Sequence, residues 1–139
     1  MPPSIRVAPL ATPRVLETER FIVAPLSPAD ARRLLEILLQ DAALAAQLPW
    51  LEHKTRDEAM QEAFGIELQC AAGLTLVWGI IARERRTLIG GIVAKTTLEG
   101  NEVEVLVASQ FWGRGVAEEA GEPVVAWIVD NLPSLPLLQ

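Results

Sequence analysis

Apolar residues near the start of the chain recur with the period of an α-helix. Ser27 followed by Pro28 is a typical helix start, because serine caps the first amides and proline fits the first helical position. The apolar residues that follow are spaced i, i+3, i+4 and i+7, which places them on one helix face. They are Ala31, Leu34, Leu35 and Leu38. The pattern therefore predicts a helix with one buried face.

Two more helices are predicted further along the chain. Thr55 and Glu58 stand three residues apart and form the pattern of a capping box, which predicts a helix from there to about residue 70. A last helix is predicted over 116–128, with Pro123 inside it. Because proline removes one backbone hydrogen bond, a kink or a late restart of this helix is expected.

Between the helices, apolar and β-branched residues predict strands bounded by turn residues. The predicted strands are 19–25, 74–82, 87–95 and 101–108. The second and third flank a charged turn, Arg83-Glu84-Arg85-Arg86, and therefore predict a hairpin. The predicted element order is β-α-α-β-β-β-α.

Composition and charge are typical of one small domain. The chain has 139 residues, of which 50% are hydrophobic, and a formal net charge of −6. This charge argues against a nucleic-acid surface, which needs clustered Lys and Arg, and would suit a basic protein partner. The apolar runs are too short to cross a membrane and the N-terminus lacks a signal-peptide pattern, so a cytoplasmic location is expected. The domain is expected to span 16–132, between tails at 1–15 and 133–139.

Cysteine and histidine are too few for a multi-cysteine metal centre. Cys70 is the single cysteine, which excludes an intramolecular disulfide, and it is expected to pack as a small apolar group. His53 is the single histidine and falls in a predicted polar loop. A solvated imidazole is its expected role, with a contact to substrate as the alternative. No metal site is predicted.

The segment 110–115 has the sequence Q-F-W-G-R-G and lies between a predicted strand and a predicted helix. Gly113 and Gly115 lack a Cβ, so the backbone can take positive φ and approach a ligand closely. Amides in such a turn, followed by a helix N-terminus, form a site for phosphate, to which Arg114 would add a charge. A tight turn that binds nothing is the alternative. A dinucleotide-binding fingerprint is disfavoured, because it needs a third glycine and a strand afterwards.

With these residues the chain resembles the GCN5-related N-acetyltransferases (GNAT), and within them the RimJ/RimL-type ribosomal-protein N-acetyltransferases. The family's acetyl-CoA signature is Q/R-x-x-G-x-G/A, which Gln110, Gly113 and Gly115 match, and its usual continuation is similar to Glu119-Ala120. The segment 16–26 is similar to the family's opening L-x-T-x-R-L-x-L-R-P-L. Further segments resemble the family in the same order, at 28–31, 48–51, 78–80 and 88–92.

The resemblance implies both a fold and a co-substrate. The implied fold is α/β (α+β), a GNAT-like acyl-CoA N-acyltransferase fold with a mixed, mostly antiparallel sheet flanked by helices. The implied co-substrate is acetyl-CoA, bound without a metal by the loop and the end of the strand before it. The cofactor-binding residues that the resemblance implies are Leu106, Val107, Gln110, Gly113, Arg114, Gly115, Val116 and Ala117.

The implied reaction is transfer of an acetyl group to a primary amine, with a protein N-terminus as a candidate acceptor. Glu102 aligns with the acidic residue of the family's strand pattern E-I-G-Y and is the candidate base or amine-positioning group. Glu104 falls where that pattern has glycine, and together with Trp50 it is a candidate substrate-binding residue. Alternating Glu and Val is also the pattern of a half-exposed strand, so solvated side chains are the alternative. The family's usual tyrosine acid has no counterpart, since the chain contains no tyrosine.

The end of the chain departs from the family. Family members continue past the last helix with further strands and a helix, whereas here Pro133 and Pro136 disfavour a central strand. The fold is therefore expected to be C-terminally incomplete, as a fragment, as a short form that a partner completes, or as a degenerate protein. The competing function is a catalytically inactive CoA-binding or protein-interaction module. An uncovered sheet edge predicts a homo-oligomer, such as a dimer.

Overall fold

The computed structural model describes residues 13–51, 54–97 and 99–132, which build one five-stranded sheet with helices on both faces. The strands are β1 (Leu16–Glu17), β2 (Phe21–Pro25), β3 (Thr75–Ala82), β4 (Thr87–Thr97) and β5 (Gly100–Val107). The helices are α1 (Pro28–Leu38), α2 (Ala42–Ala45), α3 (Arg56–Ala71) and α4 (Val116–Asn131). Two short 3-10 helices lie at Pro49–Leu51 and Ser109–Phe111.

The sheet follows chain order, β1-β2-β3-β4-β5, and every pair of neighbouring strands is antiparallel. This confirms the predicted α/β class and the predicted hairpin of β3 and β4. The sheet is antiparallel throughout the described residues, where a mixed sheet was expected. β1 and β5 are its two edge strands within the described part of the chain.

The first predicted strand, 19–25, is wrong at its start. Thr18 donates its backbone N–H to the carbonyl of Phe21 at 2.9 Å, so the chain turns before β2 begins. The turn brings Leu16 opposite Val23 and adds the two-residue strand β1. The four-residue helix α2 was not predicted either.

The helix caps form as predicted. Ser27 Oγ accepts a hydrogen bond from the amide of Asp30 at 3.2 Å, and Pro28 opens α1. At the start of α3, Thr55 Oγ1 accepts from the amide of Glu58 at 3.2 Å, while Glu58 Oε1 accepts from the amide of Thr55 at 3.0 Å. The predicted apolar face of α1 is buried at all four positions, Ala31, Leu34, Leu35 and Leu38.

Two apolar cores lie on opposite faces of the sheet. One is covered by α1, α2 and α3, and the other by α4. In the second core Trp78 is fully buried, and its ring meets the ring of Trp127 edge-on at 5.6 Å. The sheet is therefore the middle of three layers, and the side chains of β3, β4 and β5 contribute to both cores.

The helix α4 runs without interruption past Pro123 to Asn131, so the expected restart at that proline is wrong. Its buried positions pack on the sheet, and they are Val116, Ala120, Gly121, Val124, Trp127 and Ile128. The predictions for His53 and for the segments 1–12 and 133–139 lie outside the described residues.

Candidate functional site

The loop after β5 turns on two glycines in the left-handed region. Gly113 has a φ of 79° and Gly115 a φ of 71°, which confirms the predicted need for positive φ. Gly115 is the N-cap of α4 and has no side chain to bond the first helical amides. The first hydrogen bond of the helix runs from Glu119 N to Gly115 O at 3.1 Å. The amides of 116–118 therefore have no acceptor inside the helix and suit an anion.

A cavity of about 730 Å³ borders this loop, within the roughly 300–1,000 Å³ that small-molecule sites usually enclose. One wall is α2 with the turn after it, and the other is β5, the loop and the first turn of α4. The lining residues are Leu44, Gln47, Leu48, Glu104, Val105, Val107, Phe111, Trp112, Gly113, Gly115, Val116, Ala117 and Glu118. The cavity therefore extends from the open edge of β5 to the N-terminus of α4.

The backbone of β5 presents hydrogen-bonding groups at this cavity. Ala108 N donates to Ile89 O at 3.0 Å, and since an antiparallel ladder alternates, Leu106 and Glu104 also point their backbone groups towards β4. The backbone groups of Val105 and Val107 then point to the open edge. The carbonyl of Val107 already accepts the indole N–H of Trp112 at 2.8 Å. The backbone N–H and C=O of Val105 can therefore bond a ligand at the cavity wall.

The wall formed by α2 is fastened to the loop through Asp41. Asp41 Oδ2 accepts a hydrogen bond from Ser109 N at 2.7 Å, and Asp41 Oδ1 accepts from Leu44 N at 3.2 Å. These bonds, the one from Ser109 first, hold the pKa of Asp41 below its ordinary value. The charged carboxylate thus fixes the wall relative to the loop.

The predicted acidic pair lies on the face of β5 opposite to α4. Glu102 and Glu104 both line a second cavity of about 310 Å³, together with Trp50, Ile66, Val93, Lys95 and Val103. Glu104 also lines the larger cavity, and its Oε1 accepts the indole N–H of Trp50 at 2.9 Å. Glu102 is exposed and lies opposite Lys95 on β4. Glu104 is therefore the carboxylate at the junction of the two cavities.

The structure gathers most, but not all, of the residues that the sequence indicated. Of the implied cofactor-binding set, the larger cavity is lined by Val107, Gly113, Gly115, Val116 and Ala117. Leu106 is fully buried in the core beneath α1 and α3, and Gln110 is exposed outside the cavity lining.

Arg114 lies on the other side of the loop. Its guanidinium carbon stands 5.9 Å from the centroid of the Phe111 ring, and the residue lines a separate depression of about 290 Å³. That depression shares Phe111 and Val116 with the larger cavity. Arg114, which was expected to add a charge to the phosphate site, therefore lines this depression and not the larger cavity.

Sequence reasoning missed the residues that come from α2 and its surroundings. Leu44, Gln47 and Leu48 line the cavity, and Asp41 holds them in place. The only local signal was Asp41 ahead of an alanine-rich segment, which is an N-cap pattern. Trp112 was missed because its side chain falls at a variable position of the loop signature.

Glu119, which continues the loop signature, has a structural partner. Its Oε2 accepts the hydroxyl of Thr18 at 2.7 Å and the amide of Arg20 at 2.9 Å, and its Oε1 accepts Arg20 Nε at 2.6 Å. The hydrogen bond from Thr18 is the largest cause that lowers the pKa of Glu119, followed by those from Arg20. The turn before β2 is thereby attached to the first turns of α4.

Cys70 is half-buried against the core beneath α1 and α3, and burial raises the pKa of its thiol. Among the described residues, no cluster of three or more His, Cys, Asp or Glu side chains is placed to hold a metal ion. No helix in the described part of the chain combines the length and apolar character needed to cross a membrane.

Several solved structures have the same fold. The ribosomal-protein-S5-alanine acetyltransferase from Vibrio fischeri matches with a TM-score of 0.59 and 16% identity, over 84% of this chain and 67% of that chain. RimL, a ribosomal L7/L12 α-N-protein acetyltransferase in complex with coenzyme A, matches with a TM-score of 0.60 and 12% identity, over 82% and 67%. A probable acetyltransferase of the GNAT family from Chromobacterium violaceum matches with a TM-score of 0.65 and 15% identity, over 95% and 68%.

At these identities the structural matches establish the fold alone, and the chain spans about two thirds of the length of these relatives. Comparison with curated protein sequences gave no match. The family model for the acetyltransferase (GNAT) domain matches residues 20–137, which is most of the chain. The match includes the loop, the cavity lining and the Arg20–Glu119 pair, so the protein belongs to the GNAT acetyltransferase family.

Proposed function

We propose that this chain binds acetyl-CoA and transfers its acetyl group to a primary amine. The observation that carries the proposal is the cavity of about 730 Å³, which joins the open edge of β5 to the N-terminus of α4. An acyl-CoA has an amide-containing arm that suits a strand edge and a pyrophosphate that suits unpaired amides. The two features lie in one cavity in the order that such a molecule needs.

Different residues of the site would bind different parts of acetyl-CoA. The amides of 116–118 and the backbone at Gly113 and Gly115 would hold the pyrophosphate, since positive φ exposes the backbone there. The backbone groups of Val105 would bond the amide-containing arm. Leu44 and Leu48, on the opposite wall, would cover the arm and exclude water.

The reaction needs a neutral amine, a base for its proton, and a proton for the departing sulfur. The amine nitrogen attacks the thioester carbon, a C–N bond forms, the C–S bond breaks, and CoA leaves as a thiol. We take the second cavity as the site of the acceptor amine, and Glu102 and Glu104 are the carboxylates that line it. Glu104 is placed to orient the amine at the junction, and Glu102 is the candidate to receive its proton.

For the acceptor we propose a protein N-terminus. Two of the similar structures carry names that give ribosomal proteins as their acceptors. A net charge of −6 on this chain favours an approaching basic protein. We further propose that the chain is cytoplasmic, that residues 16–132 form its domain, and that it assembles as a homo-oligomer.

One observation favours a second candidate, a CoA-binding or protein-interaction module without catalysis. The chain contains no tyrosine to act as the acid. On this alternative the isolated chain binds acetyl-CoA but acetylates N-terminal peptides little or not at all, because binding needs only the loop while turnover needs a proton donor.

The binding proposal is tested with a matched pair of glycine variants. Gly113 and Gly73 have nearly equal φ, 79° and 77°, but only Gly113 borders the cavity. Each change to alanine adds a Cβ at positive φ and costs about 1–2 kcal/mol of stability. We expect Gly113→Ala to weaken CoA binding in titration calorimetry by about tenfold, the scale of one lost charge-assisted contact, whereas Gly73→Ala leaves it unchanged.

Thermal unfolding of both variants measures the loss of stability that a Cβ at positive φ causes in each of them. If the wild-type chain binds no CoA, the proposed function is wrong. If both variants bind CoA equally well, the loop is not the phosphate site.

A further inference from the structure

The two cavities meet at a single lining residue within the described part of the chain, and that residue is Glu104. The larger cavity extends from it to the loop after β5, and the smaller one extends from it to Trp50 and Lys95. The indole N–H of Trp50 donates to Glu104 Oε1 at 2.9 Å. This hydrogen bond therefore lies at the passage from one cavity to the other.

The fold restrains both partners of this bond. Trp50 lies in a short 3-10 helix, and its neighbours Leu48 and Leu51 are buried, so the backbone that carries the indole is anchored in the core. Glu104 lies inside β5, which is paired with β4 along its length. Both side chains are partly buried. Because a bond from an N–H to a charged carboxylate is stronger than one between neutral groups, the Glu104 side chain is held at the passage.

The proposed function gives the direction in which an acyl-CoA would lie. Its pyrophosphate would bind the amides of 116–118, beyond the end of β5, and its arm would run back along the open edge past Val107 and Val105. The acyl group is at the far end of this arm, so it would come to Glu104. The family's strand pattern has glycine at this position, which leaves the passage without a side chain, whereas here a carboxylate and an indole occupy it.

We propose that the Glu104–Trp50 pair limits the length of the acyl group that the chain accepts. An acetyl group would end at the pair, and each further methylene would have to displace the Glu104 side chain or break its bond to Trp50. A longer chain would also remove water from the carboxylate without replacing its hydrogen bonds. The inference rests on the proposed function, since it takes the larger cavity to hold an acyl-CoA, and it adds a selectivity that the loop after β5 does not determine.

The test compares the affinities of acetyl-CoA and butyryl-CoA for the same protein in titration calorimetry. The wild type is expected to bind butyryl-CoA at least about tenfold more weakly, because two extra methylenes would press on a packed side chain. Glu104→Ala removes that side chain, and Trp50→Phe removes the donor but keeps an aromatic ring. Each of these changes is expected to bring the two affinities within about threefold of each other.

Glu104→Gln is the matched control, because glutamine has nearly the same size as glutamate and its oxygen still accepts the indole N–H of Trp50. It is expected to keep the wild-type ratio of the two affinities. Each ratio is measured within one protein, so a general loss of CoA affinity or of stability in a variant does not affect it.

Three results would overturn the inference: equal affinities of the wild type for the two acyl-CoAs, a wild-type ratio in Glu104→Ala or Trp50→Phe, or a ratio lost in Glu104→Gln, which would assign the selectivity to charge. In each of these cases binding of acetyl-CoA by the wild type still supports the proposed function. Absence of acetyl-CoA binding by the wild type would instead contradict the proposed function itself.

Discussion

At the scale of single residues, Glu104 lies where the two cavities meet, the larger of which we propose for acetyl-CoA and the smaller for the amine. It stands where the family's strand pattern has glycine, it lines both cavities, and it is bonded to Trp50. Glu102 lies two residues earlier on the same face of β5 and lines only the smaller of the two cavities. The two carboxylates therefore have separable expected roles, although both belong to one strand.

We expect Glu102→Gln to lower turnover by about a hundredfold or more, the usual effect of removing a general base, with CoA affinity unchanged. Glu104→Gln keeps an acceptor for Trp50 but loses the charge, so it is expected to raise the KM for the amine more than it lowers kcat. Thiol release from acetyl-CoA in the presence of N-terminal peptides measures both. Glu122→Gln, on the exposed face of α4, is the control. Turnover that neither change lowers would contradict both roles.

At the scale of elements, two carboxylates connect segments that are far apart in the chain. Asp41 fastens α2 to the loop, and Glu119 fastens the turn before β2 to α4. The hydrogen bonds that they accept lower the pKa of both groups. A carboxylate with a lowered folded-state pKa stabilises the protein above its unfolded pKa, and this stability is lost as the pH falls through the folded-state value.

The thermal midpoint is therefore expected to fall as the pH is lowered from about 5 to about 3, around and below the ordinary carboxylate pKa. Asp41→Asn is expected to start from a lower midpoint and to fall less over this window, because one of the linked groups no longer titrates. Asp130→Asn, an exposed carboxylate near the end of α4, serves as the control. If the thermal midpoints of Asp41→Asn and the wild type fall equally with pH, the contact between α2 and the loop after β5 does not depend on the charge of Asp41.

At the scale of the whole molecule, the open edge of β5 is a wall of the larger cavity, and we expect it to be a surface for association as well. Its backbone groups at Val103 and Val105 have no strand beside them among the described residues. Unpaired edges of this kind recruit another strand, and an acyl-CoA in the cavity would occupy part of the same edge. Ligand binding and self-association would then compete.

We expect a dimer or larger species at micromolar concentration, and a shift towards monomer when CoA is added, in light scattering after size exclusion. Val103→Pro removes one donor from the open edge without touching the ladder to β4, so it is expected to weaken the dimer. A monomer at all concentrations would contradict the expected homo-oligomer. A dimer that CoA leaves unchanged would show that the open edge of β5 is not the dimer interface.

Residues close together in sequence determined much of this protein without tertiary information. The caps at Ser27 and Thr55, the buried face of α1 and the hairpin of β3 and β4 all formed as predicted. The positive φ of Gly113 and Gly115 was likewise predicted. The residues that form each of these features lie within about one or two helical turns or one hairpin of each other. The local sequence pattern is therefore sufficient to predict them.

The tertiary structure alone decided how the site is assembled. Asp41 bonds to Ser109 across 68 residues, Trp50 bonds to Glu104 across 54, and Arg20 bonds to Glu119 across 99. It also decided that Val105 rather than Leu106 faces the open edge, because ladder alternation depends on the register with β4. No local spacing encodes such contacts, since they exist only once separate segments pack on the same sheet.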